Sequence, residues 1–525
     1  MSLARFSWRQ IWKGSLTWAV VISIIVWTGA RTFDAAYATA SARRVFAESI
    51  GRLPAFQALY GRAVGVDTVG GFITWRYGDL MTLVIGLWAL LAVTRLLRGD
   101  EESARAEVLV SGSVSPRRLM LAELAAVAAG CGVVIAMAAL SSVASGLPIG
   151  GALLFGFMVA AGGIFFGAVA ALTSQLFDTR RRAAGWAGAV LGASYLLRAL
   201  ADGSANLQWL GWLTPLGWTE RIQPFIGADS RPIAIVLAAS AAVLAVAVFL
   251  REKRDTGAGL FGARADLGPV RSIGSAFVLD WHLSTGALVA WAAGIFVELF
   301  VLGYLTHDMA RFATENPTIE DMITRIYGYS IASAVGFLSL AFSVLAMLLG
   351  VYAGTHMLSA REEEAGGRAE TLMVGGTSRT RWLLSRITIA LVAIAALATV
   401  AAIGAWTGAN IGGSSISLLD ALKASFNVIP TVMLFGGLAV MAFGAVPRTT
   451  AYVAFGTVAA AFVVQIVGGL SGAPGWLIEL SPFSHIAPVP ATTMNVTATL
   501  VVLAIAMLST TIGLLAFSRR DLATD

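Results

Sequence analysis

RGDEESARAEVLVSGSVSPRR, residues 98–118, and REEEAGGRAETLMVGGTSRTR, residues 361–381, are two copies of one segment. Laid on each other without a gap, they agree at nine of twenty-one positions. The pairs are Arg98/Arg361, Glu101/Glu364, Arg105/Arg368, Ala106/Ala369, Glu107/Glu370, Leu109/Leu372, Gly112/Gly375, Ser115/Ser378 and Arg118/Arg381. The segment is polar, so shared apolar composition does not produce the agreement. Each copy follows the second long apolar run of its half. A weaker echo sets Thr214-Pro215-Leu216-Gly217-Trp218 against Ser481-Pro482-Phe483-Ser484-His485, each ahead of the last run. The chain therefore reads as a tandem, 1–265 and 266–525.

Outward from the repeat the sequence is apolar. Of 525 residues, 57% are hydrophobic and 13% charged, where a soluble domain carries about 25% charge. Apolar runs lie near 15–30, 78–97, 119–145, 151–176, 184–200, 231–250, 283–306, 327–357, 383–406, 427–445, 451–470 and 495–517. Each is long enough to cross a bilayer, and in lipid a lone segment satisfies its backbone only as a helix. The alternating strands of a membrane barrel are absent. The expected fold is an all-α polytopic membrane protein of about twelve transmembrane helices in two six-helix repeats.

Orientation follows from the short loops. One side collects Arg5, Arg9, Lys13, Arg98, Arg105, Arg117, Arg118, Arg180, Arg181, Arg182, Arg251, Lys253, Arg254, Arg264 and Arg271. It continues with Arg361, Arg368, Arg379, Arg381, Arg448, Arg519 and Arg520. That side is expected to be cytoplasmic, with both termini. The halves then share one orientation, related by an axis along the membrane normal. The long loop 31–77 departs from the pattern, and the rule weakens with loop length. The run after Arg5, Arg9 and Lys13 reads as an uncleaved first helix rather than a leader. A net charge of +6 spread over short loops makes no nucleic-acid patch. The single cysteine, Cys131, forms no internal disulfide and reads as a small core residue.

Within the repeat, Asp100–Ser111 reads as one surface helix, roughly 18 Å long at 1.5 Å per residue. Glu101 with Arg105, and Glu364 with Arg368, form i,i+4 pairs in the favourable order. Ala106, Leu109 and Val110 give a narrow apolar face, and Gly112 and Gly375 sit where a helix stop belongs. Two copies about a pseudo-twofold axis suit a symmetric, dimeric partner; a solvated loop helix is the plainer alternative.

These residues resemble the coupling-helix region of ABC type-2 exporter permeases. The fused two-half form resembles the actinobacterial polyketide-antibiotic exporter permeases, the tetronasin transporter permeases among them. Ser103-Ala104 stands where the second copy has Gly366-Gly367, so the two docking sites are expected to differ. The resemblance implies docking residues Asp100, Glu101, Arg105, Glu107, Gly112 and Arg118, and in the second half Glu364, Arg368, Glu370, Gly375 and Arg381. It implies two copies of an ABC ATPase subunit, which would hold ATP and Mg. It also implies elbows near Ala4–Lys13 and Ser272–His282, and re-entrant helices at 214–225 and 481–490. The expected task is export of amphipathic or hydrophobic compounds, as in drug efflux, from a bacterial plasma membrane.

The chain has no Walker A motif, which needs Gly before Lys; its three lysines follow Trp12, Glu252 and Leu422. No cofactor and no catalytic motif are expected in it. His282, His307, His356 and His485 lack metal-ligand spacing. Glu298 is the acid most clearly inside an apolar run, and an intramembrane acid is a candidate functional group. With Trp291, Phe296 and Phe300 it is a candidate for the substrate path, against packing or lipid contact. Asn427 and Gln465 suit interhelical hydrogen bonds. Asp79 reads as a surface ion pair with Arg76. Tyr327–Ser359 reads as one helix of about 50 Å. A proton-coupled secondary transporter shares the six-plus-six plan, but the compact Asp-Arg loop turn of the major facilitator class is missing and buried acids are scarce. A membrane glycosyltransferase would need outer-loop acids; Asp34, Glu48 and Asp67 are there, with nothing to organise them.

Overall fold

The computed structural model describes residues 3–50, 57, 60–103, 105–110, 114–203, 205–227, 229, 231–255, 257–261, 276–315, 317–471 and 474–522. Among these residues the chain is helical throughout, with no strand. Ten helices are long and apolar enough to cross a membrane: this is a multi-pass membrane protein. The chain divides into two compact units, Met1–Gly268 and Pro269–Asp525.

In unit 1 the long helices are α1 (Leu3–Ala36), α3 (Val69–Glu102), α5 (Pro116–Ala144), α6 (Ile149–Leu176), α7 (Arg180–Gly203) and α9 (Arg231–Lys253). Short helices α2 (Ala40–Ile50), α4 (Arg105–Val110) and α8 (Pro215–Glu220) fill the turns. α6 is the hub: α3, α5, α7 and α9 all pack on it, and Phe155, Phe166 and Val159 are wholly buried. In lipid no water drives the helices together, so side-chain fit must do it. α7 is not among the ten apolar helices, because Trp186, Tyr195, Arg198 and four glycines dilute its run.

Unit 2 holds α10 (Ala276–Tyr304), α11 (Thr306–Glu315), α12 (Pro317–Tyr327), α13 (Ala334–Ala365), α14 (Arg368–Val374) and α15 (Arg379–Ile411). α16 (Leu418–Ala445), α17 (Thr450–Ser471), α18 (Gly475–Ile478) and α19 (Val496–Arg519) follow. Helix starts carry small polar caps that occupy otherwise unpaired N–H groups. Ser115 accepts from Arg118 N at 3.3 Å, and Ser378 from Arg381 N at 3.3 Å. Those caps account for the repeated Ser115/Ser378 pair. α10 and α15 meet backbone to backbone along Gly404, Gly408 and Gly412. A Cβ on Gly408 would lie 2.0 Å from Phe300 O.

Several expectations are corrected. Residues 100–111 do not form one helix. α3 continues through a π-helical stretch, Arg95–Gly99, to Glu102. It breaks at Ser103, whose hydroxyl turns back to Gly99 O at 2.9 Å, and the chain restarts as α4. Tyr327–Ser359 is not one helix either: Gly328 adopts φ +79°, and Ser333 caps a new start at Ala334. No separate elbow precedes the first span, because α1 is continuous from Leu3. Its counterpart in the second half, Ser272–His282, is described only from Ala276, where it forms the first turns of α10; Gly112 lies outside the described residues. Pro215–Glu220 is a short helix as expected, whereas Pro482–His485 is a single 3-10 turn.

Candidate functional site

The ends of the helices that carry the arginines form a basic end in each unit, and the repeated segments sit there. In unit 1 the last turns of α3 bring Arg98 and Glu101 inside. Arg98 is fully buried. It donates to Ser174 O at 2.5 Å, Glu101 Oε2 at 2.9 Å and Ala258 O at 2.9 Å. Glu101 also receives both arms of Arg254, at 2.7 and 3.0 Å, and faces Arg251 at 3.1 Å. Arg254 Nε donates to Gln175 Oε1, at the end of α6, at 2.7 Å. One carboxylate thus ties the ends of α3, α6 and α9.

Unit 2 repeats the arrangement. Glu364, at the end of α13, receives both arms of Arg520 at 2.5 and 2.8 Å and lies 3.7 Å from Arg361. Arg520 Nε donates to Gly444 O, at the end of α16, at 3.0 Å. Arg386 adds a second buried knot there, pairing with Glu363 and, at 3.2 Å, with Asp280.

The expected i,i+4 pairs are therefore corrected. Arg105 reaches Asp100 at 3.4 Å, not Glu101, and Glu364 faces Arg520 rather than Arg368. A long-range fork of two charge-assisted bonds wins over a solvent-exposed local pair, which is worth only a few tenths of a kcal/mol. Glu101 and Glu364 are interior anchors, and Asp100 is buried beside Gln10. Ala106 and Ala369 are buried and pin the short helices α4 and α14. Gly375 caps α14, but the left-handed residue that stops it is Gly376, at φ +94°. Arg105, Glu107, Arg118, Arg368, Glu370 and Arg381 are exposed. Apart from the Arg105 pair with Asp100, these six repeated charges face away from the packed interior.

Unit 2 contains an apolar cavity of about 300 Å³. Ala353 and Met357 of α13, Ile387, Ala390 and Ile394 of α15, Val432 and Gly436 of α16, and Met507 and Thr510 of α19 line it. Pro430 stands in the first turn of Ile429–Ala445. A proline lacks the N–H and crowds the turn before it, so a helix running into it breaks. α16 is broken at Val428 into Leu418–Asn427, which packs on α15, and Ile429–Ala445, which diverges from it. The cavity opens in that divergence. The residues expected along the substrate path lie elsewhere. Glu298 is exposed on α10, Phe296 stacks on Phe300, and Trp291 packs edge-on against Tyr352. None of the four lines the cavity.

At the opposite end of unit 1 lies a charged cluster that local sequence reading missed. Asp79 is buried and pairs with Arg198 of α7 at 3.0 Å; Arg76 instead lies over the Tyr60 ring. Arg198 also reaches Asp202 at 3.5 Å, and Arg62 stands 3.8 and 3.9 Å from Asp202 and Glu220. A cavity of about 30 Å³ beside them is lined by Tyr60, Trp75, Asp79 and Glu220, with room for water. Asn427 and Gln465 donate to Ala487 O and Ile326 O, at 2.9 and 2.7 Å. Asp34 pairs with Arg43 on the surface, and Glu48 and Asp67 are exposed.

A sequence signal for the clamps existed. Arg254-Asp255 and Arg520-Asp521 each follow the last long helix of their unit.

Two comparisons bear on these sites. The family described as "Multidrug efflux system permease Rv1217c, C-terminal domain" matches the chain twice, at residues 8–250 and 273–518. The multidrug efflux system permease protein Rv1217c of Mycobacterium tuberculosis is 34% identical over 513 residues, covering 96% of this chain and 92% of the relative.

Proposed function

The chain belongs to the family of the multidrug efflux system permease Rv1217c, and from that premise we propose that it is the membrane subunit of an ATP-binding-cassette exporter. In this reading two copies of a separate ATPase dock on α4 and α14 at the cytoplasmic side of a bacterial plasma membrane. α7 and α17 complete twelve spans, with both termini inside. The cargo is an amphipathic or hydrophobic compound, and the resemblance to the tetronasin transporter permeases supports an antibiotic.

One observation carries the reading. Arg98, Glu101, Ala106 and Ser115, and their partners in the second copy, are used by the fold. Arg105/Arg368, Glu107/Glu370 and Arg118/Arg381 are exposed, so packing gives no reason for their identity. A partner that meets the same surface twice does. Reversing both Arg105→Glu and Arg368→Glu should weaken ATPase association about tenfold, because like charges across an interface cost a kcal/mol or more. Mild-detergent pull-down of the tagged permease from its native membranes, with an ATPase assay on the eluate, measures it. An inert eluate from the unaltered chain would sink the reading.

The cavity of unit 2 is the proposed cargo site; it offers apolar walls and two threonine hydroxyls, with no charge. Ala390→Phe should fill it. Cells carrying that variant should accumulate a neutral apolar dye that the unaltered permease expels, while ATPase association stays intact. Unchanged efflux would place the path elsewhere.

Buried Asp79 and Asp202, with half-buried Glu220 beside them, favour a second reading, proton-coupled efflux. Collapsing the proton gradient while ATP is held constant separates the two.

A further inference from the structure

We propose that Arg254 and Arg520 are positioning residues, each fastening the docking segment of its half to the last span, so that a push on the segment moves three spans together. The proposal rests on the docking reading above. Its geometry is built twice. Each arginine follows the last long helix directly, and each grips the glutamate that ends the second long helix with both arms of its guanidinium. Each gives its Nε to the end of the fourth, Gln175 or Gly444. Each also turns a nitrogen onto the carbonyl of its own next residue, Asp255 or Asp521, at 3.2 and 2.9 Å.

A buried ion pair is a poor device for stability, since well-packed apolar residues do as well or better. What a fork on a carboxylate supplies is fixed direction. Three helix ends meet on one guanidinium immediately beside α4 or α14. A force on either short helix therefore has a rigid path to the last span as well as to the helix it leaves.

The two clamps differ in their surroundings. Beside Arg254, Arg98 and Arg251 stand 2.9 and 3.1 Å from Glu101; beside Arg520, Arg361 stands 3.7 Å from Glu364. The second half leads into its segment through Gly366-Gly367, with Gly367 at φ +72°, where the first half has Ser103-Ala104.

The test uses the full-length permease in lipid nanodiscs, alone and with the ATPase it carries from its membranes. Spin labels at Val374→Cys and Leu515→Cys, both exposed, report the distance from α14 to α19; the one native cysteine, Cys131, is buried. Arg520→Ala should broaden that distance distribution, Arg520→Lys should broaden it less, and Arg254→Ala should leave it unchanged. With the ATPase bound, Arg520→Ala should still hydrolyse ATP but move about tenfold less dye per ATP, a coupling loss of ordinary size. Because Arg520→Ala strands a buried carboxylate, the apolar pair Glu364→Met with Arg520→Met is the second variant; it should fold and still show the broad distribution. An unchanged distribution in both variants overturns the proposal, as does a parallel fall of hydrolysis and transport. If the unaltered permease carries no ATPase, the docking reading fails, while the spin-label comparison still decides whether the clamp positions α14.

Discussion

Arg198→Met should destabilise unit 1 by about 3–5 kcal/mol, the cost of removing one partner from a buried ion pair. Arg198 is fully buried and sits between Asp79 and Asp202. Without it, Arg62, 3.8 Å from Asp202, is the one cation left within ion-pair distance of the two carboxylates among the described residues. Thermal unfolding in detergent, read by limited proteolysis of residues 1–268, should show the loss in this unit first. Adding Asp79→Asn to Arg198→Met should recover part of it, since contacting residues couple. Equal losses in the single and double variants would mean that the pair contributes nothing beyond packing.

Gly408→Val should prevent unit 2 from assembling. A Cβ at Gly408 would stand 2.0 Å from Phe300 O and 2.8 Å from Tyr304 N. Both are backbone atoms in a helix, so relief requires α10 and α15 to separate. Overpacking costs about 1–3 kcal/mol and occasionally more; with no movable side chain to yield, the upper end applies. The flanking close approaches at Gly404 and Gly412 would be lost with it. The expected result is little monodisperse protein by size-exclusion chromatography. Gly132→Ala is the control: nothing lies within 4 Å of its added Cβ, so replacing this helical glycine should be neutral or slightly stabilising. Normal yield from Gly408→Val would mean that the seam is looser than the structure shows.

The apolar runs and the repeated segment were legible because both are local properties of the chain. The ion pairs were not, and the reason is distance along the sequence. Glu101 finds Arg254 and Glu364 finds Arg520 across 153 and 156 residues. Reading at helical spacing offered Arg105 and Arg368 instead. The same local habit gave Asp79 to Arg76, when its partner is Arg198 on another helix. Glu298 drew attention as a lone acid in an apolar run, yet burial, which sequence does not display, left it exposed on α10. The cavity was hidden for a different reason. Pro430 was visible, but its effect depends on which neighbour the two parts of α16 pack against.

That proline has no counterpart within α6, which runs unbroken from Ile149 to Leu176. Two identical subunits must accept every substitution in duplicate, so a kink that opens one side opens the other. Carrying both halves on one polypeptide removes that constraint. One half can then change its interior while the other keeps a close-packed one, and selection on cargo can act on a single copy.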